Sequence, residues 1–345
     1  MRTVPAAALA ELMAGALRRR GLADEHAGWV VDGLLTASLR GIDTHGVRLF
    51  PTYLAELDGG RSQARPDLRW LGETGGARAV RVLDAGQALG LVAGRAACAE
   101  AVRLAREHGV GAVAVRNSNH FGAASVYTLE MARHGVLGLA FTNSDALVAP
   151  HSGLRPLFGT NPISLAVRGA GDDLFCADLA TSQVSYSKVK QHREAGQPLA
   201  PGWALNADGG DAAGGGEVAA LKPLGGHKGH CLAMMVEILC ALLAGMPLDH
   251  ELSHLFTPPF DEPRRVAHLF LALDVAAFRD PDELRQDVSR LLGIVRGQPA
   301  VAGERVIAPG DLESEAAASR RLHGIPMAEE EWRRFESAVL SSSPC

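Results

Sequence analysis

The sequence predicts an α/β protein, and three observations carry that expectation. From Ala77 onward, short apolar runs of strand composition alternate with stretches of helical periodicity. Glycines such as Gly109 and Gly135 stand where those helices should stop. The region before Ala77 carries apolar residues at helical spacing over roughly its first sixty positions.

In that N-terminal region Leu9, Leu12, Met13, Ala16 and Leu17 recur on one helical face, and Val30, Val31, Leu34 and Leu35 repeat the pattern in a second helix. The loop Arg40-Gly41-Ile42-Asp43-Thr44-His45-Gly46 follows. Ala79 to Leu83 reads as a strand, Leu91 to His108 as a helix, Val110 to Val115 as a strand, Ala124 to Arg133 as a helix and Val136 to Thr142 as a strand. Two more strands are expected at Ile163 to Val167 and Leu174 to Ala177. The glycine-rich segment 208–216 reads as a flexible loop. Cys231 to Leu243 reads as a buried core helix, because Glu237 interrupts the apolar stretch at its centre and argues against a membrane span. A strand from His268 to Val275, a helix from Asp282 to Val295, a short strand ending at Val306-Ile307 and two polar amphipathic helices complete the chain, with no internal repeat.

The 345 residues, 47% of them hydrophobic, suffice for one large core or two modest ones. A net charge of -5 and a pI near 6.2 argue against nucleic acid as the main partner, since phosphate backbones require a basic face. Only Lys188, Lys190, Lys222 and Lys228 are lysines; the arginine bias reads as a GC-rich coding sequence, which makes a lysine inside a glycine-rich turn less incidental. Cys98, Cys176, Cys231, Cys240 and Cys345 are scattered without a C-x-x-C pair, as expected of reduced thiols in a cytoplasmic protein. The N-terminal MRTVPAAALAELMAGALRRR contains Glu11 and reads as an amphipathic helix, not a secretion signal.

Strand–helix alternation suits a doubly wound sheet, yet no G-x-G-x-x-G lies between a strand and a helix, and no G-x-x-x-x-G-K-[ST] is present. Gly214 to Ala219 matches G-x-G-x-x-A, but no strand precedes it. Four polar, glycine-flanked segments break the apolar pattern instead: Asp43 to Gly46, Asn117 to Gly122, Phe158 to Pro162 and Gly225 to Gly229. Such loops at strand and helix ends are where sites are built. His120 ends a strand and precedes a helix; it is either an acid/base group or a capping histidine, and His45 has the same two readings. Asp145 follows the strand ending at Thr142 and is either a carboxylate orienting a histidine or an ordinary loop residue. The Gly225-Gly226-His227-Lys228-Gly229 turn opens a helix, where free N–H groups and the helix dipole favour an anion and Lys228 adds a full charge; a plain tight turn is the other reading. His250-Glu251-Leu252-Ser253-His254 formally matches H-E-x-x-H, although Pro247 and Pro258-Pro259 leave little room for the helix that a zinc site requires.

Taken together, ASLRGIDTHGVRLFPTYL, RNSNHFGAAS, FTNSDALVAPHSG, PLFGTNPISLAV, DLATSQVSYSK, PGWALNADG, PLGGHKGHCLAMMVEIL and VIAPGDLE, in this order, resemble the malate/L-lactate dehydrogenase family. That family also contains ureidoglycolate and sulfolactate dehydrogenases, diketogulonate reductase and the piperideine- and pyrroline-2-carboxylate reductases. The resemblance implies a non-Rossmann NAD(P)-binding domain with a mixed, largely antiparallel sheet over residues 76–299. It also implies a helical domain built from both chain ends, residues 1–75 and 300–345. The expected activity is NAD(P)H-dependent hydride transfer at C2 of a small 2-oxo or 2-hydroxy acid, with a cyclic imino acid as the alternative substrate. The cofactor is NAD or NADP, the assembly a cytoplasmic homodimer, and no metal, membrane or nucleic acid is involved. By position His120 and His45 resemble the acid/base pair, with Asp145 beside them; Arg48, Thr44 and Thr160 resemble substrate contacts. Ser144, Asp178, Leu179, Ala180, Lys228, Pro309, Gly310 and Asp311 resemble cofactor contacts. The chain departs from the family pattern at Leu49, where relatives carry arginine, at Ser187, where they carry glycine, and in the 208–216 loop, which lacks T-x-D-P. An inactive dinucleotide-binding protein and a zinc hydrolase using His250 and His254 are the remaining alternatives.

Overall fold

The computed structural model describes residues 2–72, 78–214 and 217–341. It opens with β1 (Arg2–Val4) and three helices, α1 (Ala6–Arg19), α2 (Asp24–Leu39) and α3 (Phe50–Gly59). Leu9, Met13, Ala16 and Leu17 of α1 and Val30, Val31 and Leu34 of α2 are buried, so the apolar stripe seen in the sequence is the packing face. Next come β2 (Arg69–Leu71), β3 (Val80–Asp84) and α4 (Gly90–His108), which Gly109 ends in the left-handed conformation at φ 82. β4 (Val110–Ser118), α5 (Ser125–Arg133), β5 (Val136–Thr142), β6 (Ile163–Arg168) and β7 (Leu174–Leu179) follow. Beyond them lie α6 (Tyr186–Glu194), the short pair β8 (Ala204–Leu205) and β9 (Ala220–Leu221), and α7 (His227–Glu237). The chain closes with β10 (Val266–Asp274), α8 (Pro281–Arg296), α9 (Asp311–His323), β11 (Ile325–Met327) and α10 (Glu329–Leu340).

Seven strands form one sheet in the order β2-β3-β4-β10-β5-β6-β7. Only β3 and β4 run parallel; every other pairing is antiparallel, so the sheet is mixed and not doubly wound. β10, late in the chain, is inserted between β4 and β5, with Phe270 opposite Val113 on one side and Ala140 on the other. The period-2 alternation sends Val113, Val115, Ala140, Phe270 and Ala272 into a core shared with α4, α5 and the N-terminal helices. Ala114, Phe141, Ala267 and Leu269 face the opposite way, onto Val236, Cys240 and Ala244. β10 is therefore covered on both faces, as a central strand must be. β1 and β11, from opposite ends of the chain, pair antiparallel with Val4 against Ile325.

Two expected elements differ. Residues 301–308 form no strand; the outer edge of β7 takes one bond from this segment, Cys176 N to Pro309 O, and no ladder follows. The apolar helix is not a buried core helix. α7 stops at Glu237, a π turn spans Ile238–Leu242, and Val236, Leu239, Cys240 and Ala244 face the sheet. Met234, Met235, Ile238, Leu242 and Leu243 are exposed on the other side. Because the whole stretch is apolar, no polar face marked its outward side. Of the glycine-rich segment, residues 208–214 are organised by Asn206 Oδ1, which accepts from Asp208 and Gly210, while 215 and 216 lie outside the described residues. Among the described residues no helix is long and apolar enough to cross a membrane.

Gly90, at the start of α4, lies directly under the chain at Asn119 and His120: a Cβ there would stand 2.3 Å from Asn119 O and 2.5 Å from His120 C. Gly90→Ala therefore forces a backbone shift, and overpacking of this kind costs about 1–3 kcal/mol. A lowered midpoint in thermal unfolding is the expected result; an unchanged midpoint would show that the 119–120 backbone relaxes freely.

Candidate active site

The segment after β4 is held from several sides. Asn117 adopts φ 53 and its side-chain amide donates to the Asp84 carboxylate at 2.9 Å. Asn119 is fully buried, and its amide donates to the carbonyls of Arg61, Gln87 and Ala88. Phe121 stacks on His268 with centroids 4.6 Å apart, and its carbonyl accepts from the Tyr127 hydroxyl. His268 pairs with Ser118 of β4 through Nε2 and with Thr142 of β5 through Nδ1, and burial drives its pKa down to about 3, so it is a neutral clamp between strands. Between these anchors sits His120. Its Nδ1 lies 2.7 Å from the Tyr53 hydroxyl and accepts a longer bond from Gly122 N. The His45 ring stacks beside it, centroids 5.6 Å apart, with Nδ1 2.8 Å from the Thr44 hydroxyl. Burial lowers the pKa of both histidines, that of His120 well below 6.5, with His45 and Arg264 adding to the effect and Asp145 opposing it. Both rings are neutral near pH 7.

A second polar cluster faces this pair. Asp145 forms an ion pair with Arg264, whose side chain is wholly buried, and its other oxygen lies 2.9 Å from His254 Nδ1. Burial alone would raise the Asp145 pKa, but Arg264 and His254 bring it down to about 2. The bond to Asp145 raises the His254 pKa against the effect of burial. Asp145, a candidate for orienting a histidine, thus orients His254 and not His120. His250 and His254 do not share a helix: Asp249–Glu251 is a single 3-10 turn and His254 lies beyond it, so the geometry of a zinc H-E-x-x-H is missing. Among the described residues no group of three or more His, Cys, Asp or Glu side chains converges in metal-binding geometry.

Both clusters line one cleft of about 770 Å³, a size suited to a cofactor with a small substrate. Thr44, His45, His120, Ser144, Asp145, Thr160, Asp178 and Ala180 all line it, so eight of the residues singled out in the sequence converge. Ser144 Oγ accepts from Thr160 N at 3.1 Å, and Asp178 Oδ2 accepts from Ser125 N at 2.7 Å. The others stand elsewhere. Val47–Leu49 forms a 3-10 turn that buries Leu49 in the cleft wall and sends Arg48 outward to Glu331, 3.0 Å away. Lys228 is exposed at the head of α7, and Leu179 is more than half exposed. Pro309 and Gly310 abut Cys176, and Asp311 pairs with Arg296, all outside the cleft lining. Sequence reasoning missed Tyr53, Arg40 and Ser125, and read His254 only as a metal ligand. Tyr53 stands within an ordinary amphipathic helix, α3, and nothing in its spacing marks it.

A stacked histidine pair and a third histidine bound to a carboxylate thus share one large cleft beside a mixed sheet. The chain belongs to the malate/L-lactate dehydrogenase family, which it matches over residues 4–336. It is 32% identical to malate dehydrogenase of Pyrococcus horikoshii over 335 residues, covering 94% of this chain and 91% of that protein. It is 38% identical to (2R)-3-sulfolactate dehydrogenase (NADP(+)) of Chromohalobacter salexigens over 256 residues, 72% of this chain and 73% of the relative. The crystal structure of delta1-piperideine-2-carboxylate reductase from Pseudomonas syringae superimposes with a TM-score of 0.85 at 28% identity, covering 98% of this chain and all of that one, 100%.

Tyr53 is buried, and burial with the nearby Glu56 keeps its hydroxyl protonated. It can donate to or accept from His120 Nδ1 and so follow the ring through both protonation states. Tyr53→Phe removes that partner; turnover should fall about tenfold and the pH profile of turnover should shift, the worth of one buried hydrogen bond. Equal turnover and an unmoved profile would leave Tyr53 a packing residue.

Proposed function

We propose that the protein is an NAD(P)-dependent oxidoreductase acting at C2 of a small 2-oxo or 2-hydroxy acid, with His120 as its acid/base group. The observation that carries the reading is the buried His120–Tyr53 pair opening onto a cleft that also holds a charge-poised His254. The cleft fits a dinucleotide: Ser125 Oγ is buried there without a partner, and Asp178 and Ala180 lie beside it. Ser144, Asp178 and Ala180 would hold the cofactor, which when bound supplies or takes the hydride. His120 does the rest of the chemistry. In reduction the ring acts from its doubly protonated form: Nε2, the nitrogen left free by Tyr53, gives its proton to the carbonyl oxygen and leaves a neutral ring whose Nδ1–H donates to the Tyr53 hydroxyl; in oxidation the neutral Nε2 takes the hydroxyl proton back. Thr44 and Thr160 are placed to orient the substrate.

His254 is the group we assign to the substrate carboxylate. With Leu49 in the cleft wall and Arg48 turned outward, His254, held by Asp145, is a positively poised group on the cleft lining. The charged groups facing it are Asp145 and Arg264, while Arg61 donates to its carbonyl. The second reading, a cyclic imino acid, uses the same anchor and differs only in the atom that His120 protonates. A homodimer is also proposed, with a second copy covering the exposed Met234, Met235, Ile238, Leu242 and Leu243.

Mixing the protein with NADH or NADPH and a panel of 2-oxo acids and cyclic imino acids, followed by absorbance, should show turnover on at least one member. His120→Gln should lower it by roughly two to four orders of magnitude with cofactor binding retained. Cofactor binding without turnover on any member would refute the enzyme reading.

The pH dependence has a definite sign. His120, lowered from 6.5, is already the neutral base at pH 6.5, and His254, raised from 6.5, keeps its charge above that pH. For oxidation kcat/KM should rise below pH 6.5, hold a plateau, and fall on the alkaline side as His254 loses its proton. His254→Gln should raise KM about ten- to a hundredfold, the worth of a charge-assisted bond, and erase the alkaline limb. A variant that keeps that limb would remove His254 from substrate binding.

A further inference from the structure

We propose that Arg40 anchors a phosphate group of the dinucleotide in the cleft. The assignment rests on the cofactor reading above. Arg40 caps the C-terminal end of α2, its own N–H bonded to Thr36 O, and its side chain reaches the cleft wall. The residue is only 9% exposed, and Nε and Nη2 are buried without a hydrogen-bond partner. Arg320 nearby shows the contrast: it pairs with Asp43 of the loop that Arg40 opens. A guanidinium does not shed its proton on burial, so the charge persists and awaits an anion.

The surroundings specify what kind of anion. Asp178 and Glu313 line the same cleft, but neither forms an ion pair with Arg40, and Asp178 Oδ2 is taken by Ser125 N. Ser125 Oγ is a second buried group without a partner on this wall. Gly122, Ala123 and Ala124 lead into it and leave the wall free of bulk. A fixed planar cation with a hydroxyl donor, flanked by small residues, matches the oxygen-rich, permanently charged face of a phosphate.

The test is binding, measured by calorimetry on the full-length protein without substrate, for NADH and NADPH separately. Arg40→Met should bind at least tenfold more weakly, with Arg40→Lys intermediate. Equal losses for the two nucleotides place the bridging phosphates at Arg40; a loss confined to NADPH places the ribose phosphate there. Without ligand, Arg40→Met should unfold at the same temperature as the parent or higher, because an uncompensated buried charge has been removed. A structural role would lower it. If Arg40→Met does not fold, the affinity of Arg40→Lys decides on the same reading. A parent that binds and variants that bind as tightly overturn this assignment alone. A parent that binds neither nucleotide overturns it together with the proposed function.

Discussion

The buried ion pair between Arg264 and Asp145 is the interaction on which the site depends. It joins the loop after β5 to the segment entering β10, and its charges act in opposite directions on two imidazoles. Arg264 disfavours a second positive charge at His120, whereas Asp145 holds the proton on His254. Burial, aided by Arg264, favours the neutral form of His120, while Asp145 favours the charged form of His254, a separation of roles that environment commonly produces in active sites. Breaking such a pair by removing one partner costs about 3–5 kcal/mol, since the survivor is left buried and uncompensated.

That pair is in place because of the sheet. β10 lies between β4 and β5, which brings the loops at their ends together, and His268 ties Ser118 and Thr142 across all three strands. Arg61 extends the frame: its guanidinium donates to the carbonyls of His254, Thr257 and Pro259, and its own carbonyl accepts from Asn119. His120 and His254 are therefore positioned by one connected set of buried polar groups, and packing alone would not hold two loops in such a register.

Much of this was legible in the chain. Val136–Thr142 is the strand its apolar run predicts, α4 ends at the glycine that marks its stop, and Thr44, His45, His120 and Thr160 of the glycine-flanked segments meet in one cleft. What was hidden is long-range. Nothing local says that β10 inserts between β4 and β5, so nothing local pairs Asp145 with Arg264 or places His254 opposite His120. Tyr53 looks like an ordinary helix residue and Arg40 like an ordinary loop residue until the fold shows what they face. Arg48 and Leu49 were one position apart in sequence, and only the 3-10 turn decides which of them points inward. The apolar stretch at α7 misled for a simpler reason: composition without periodicity has no outside.

The pairing of β1 with β11 bears on how the chain acquires its shape. Among the described residues, a strand formed by Arg2 to Val4 has its one ladder partner at Ile325 to Met327. During synthesis the β1 segment must wait for the β11 segment, made much later, before this ladder can close. β10 is also late, so the centre of the sheet is absent until most of the chain exists. Pairings so distant in sequence slow folding, because the entropy of closing the intervening chain is lost before the contacts form.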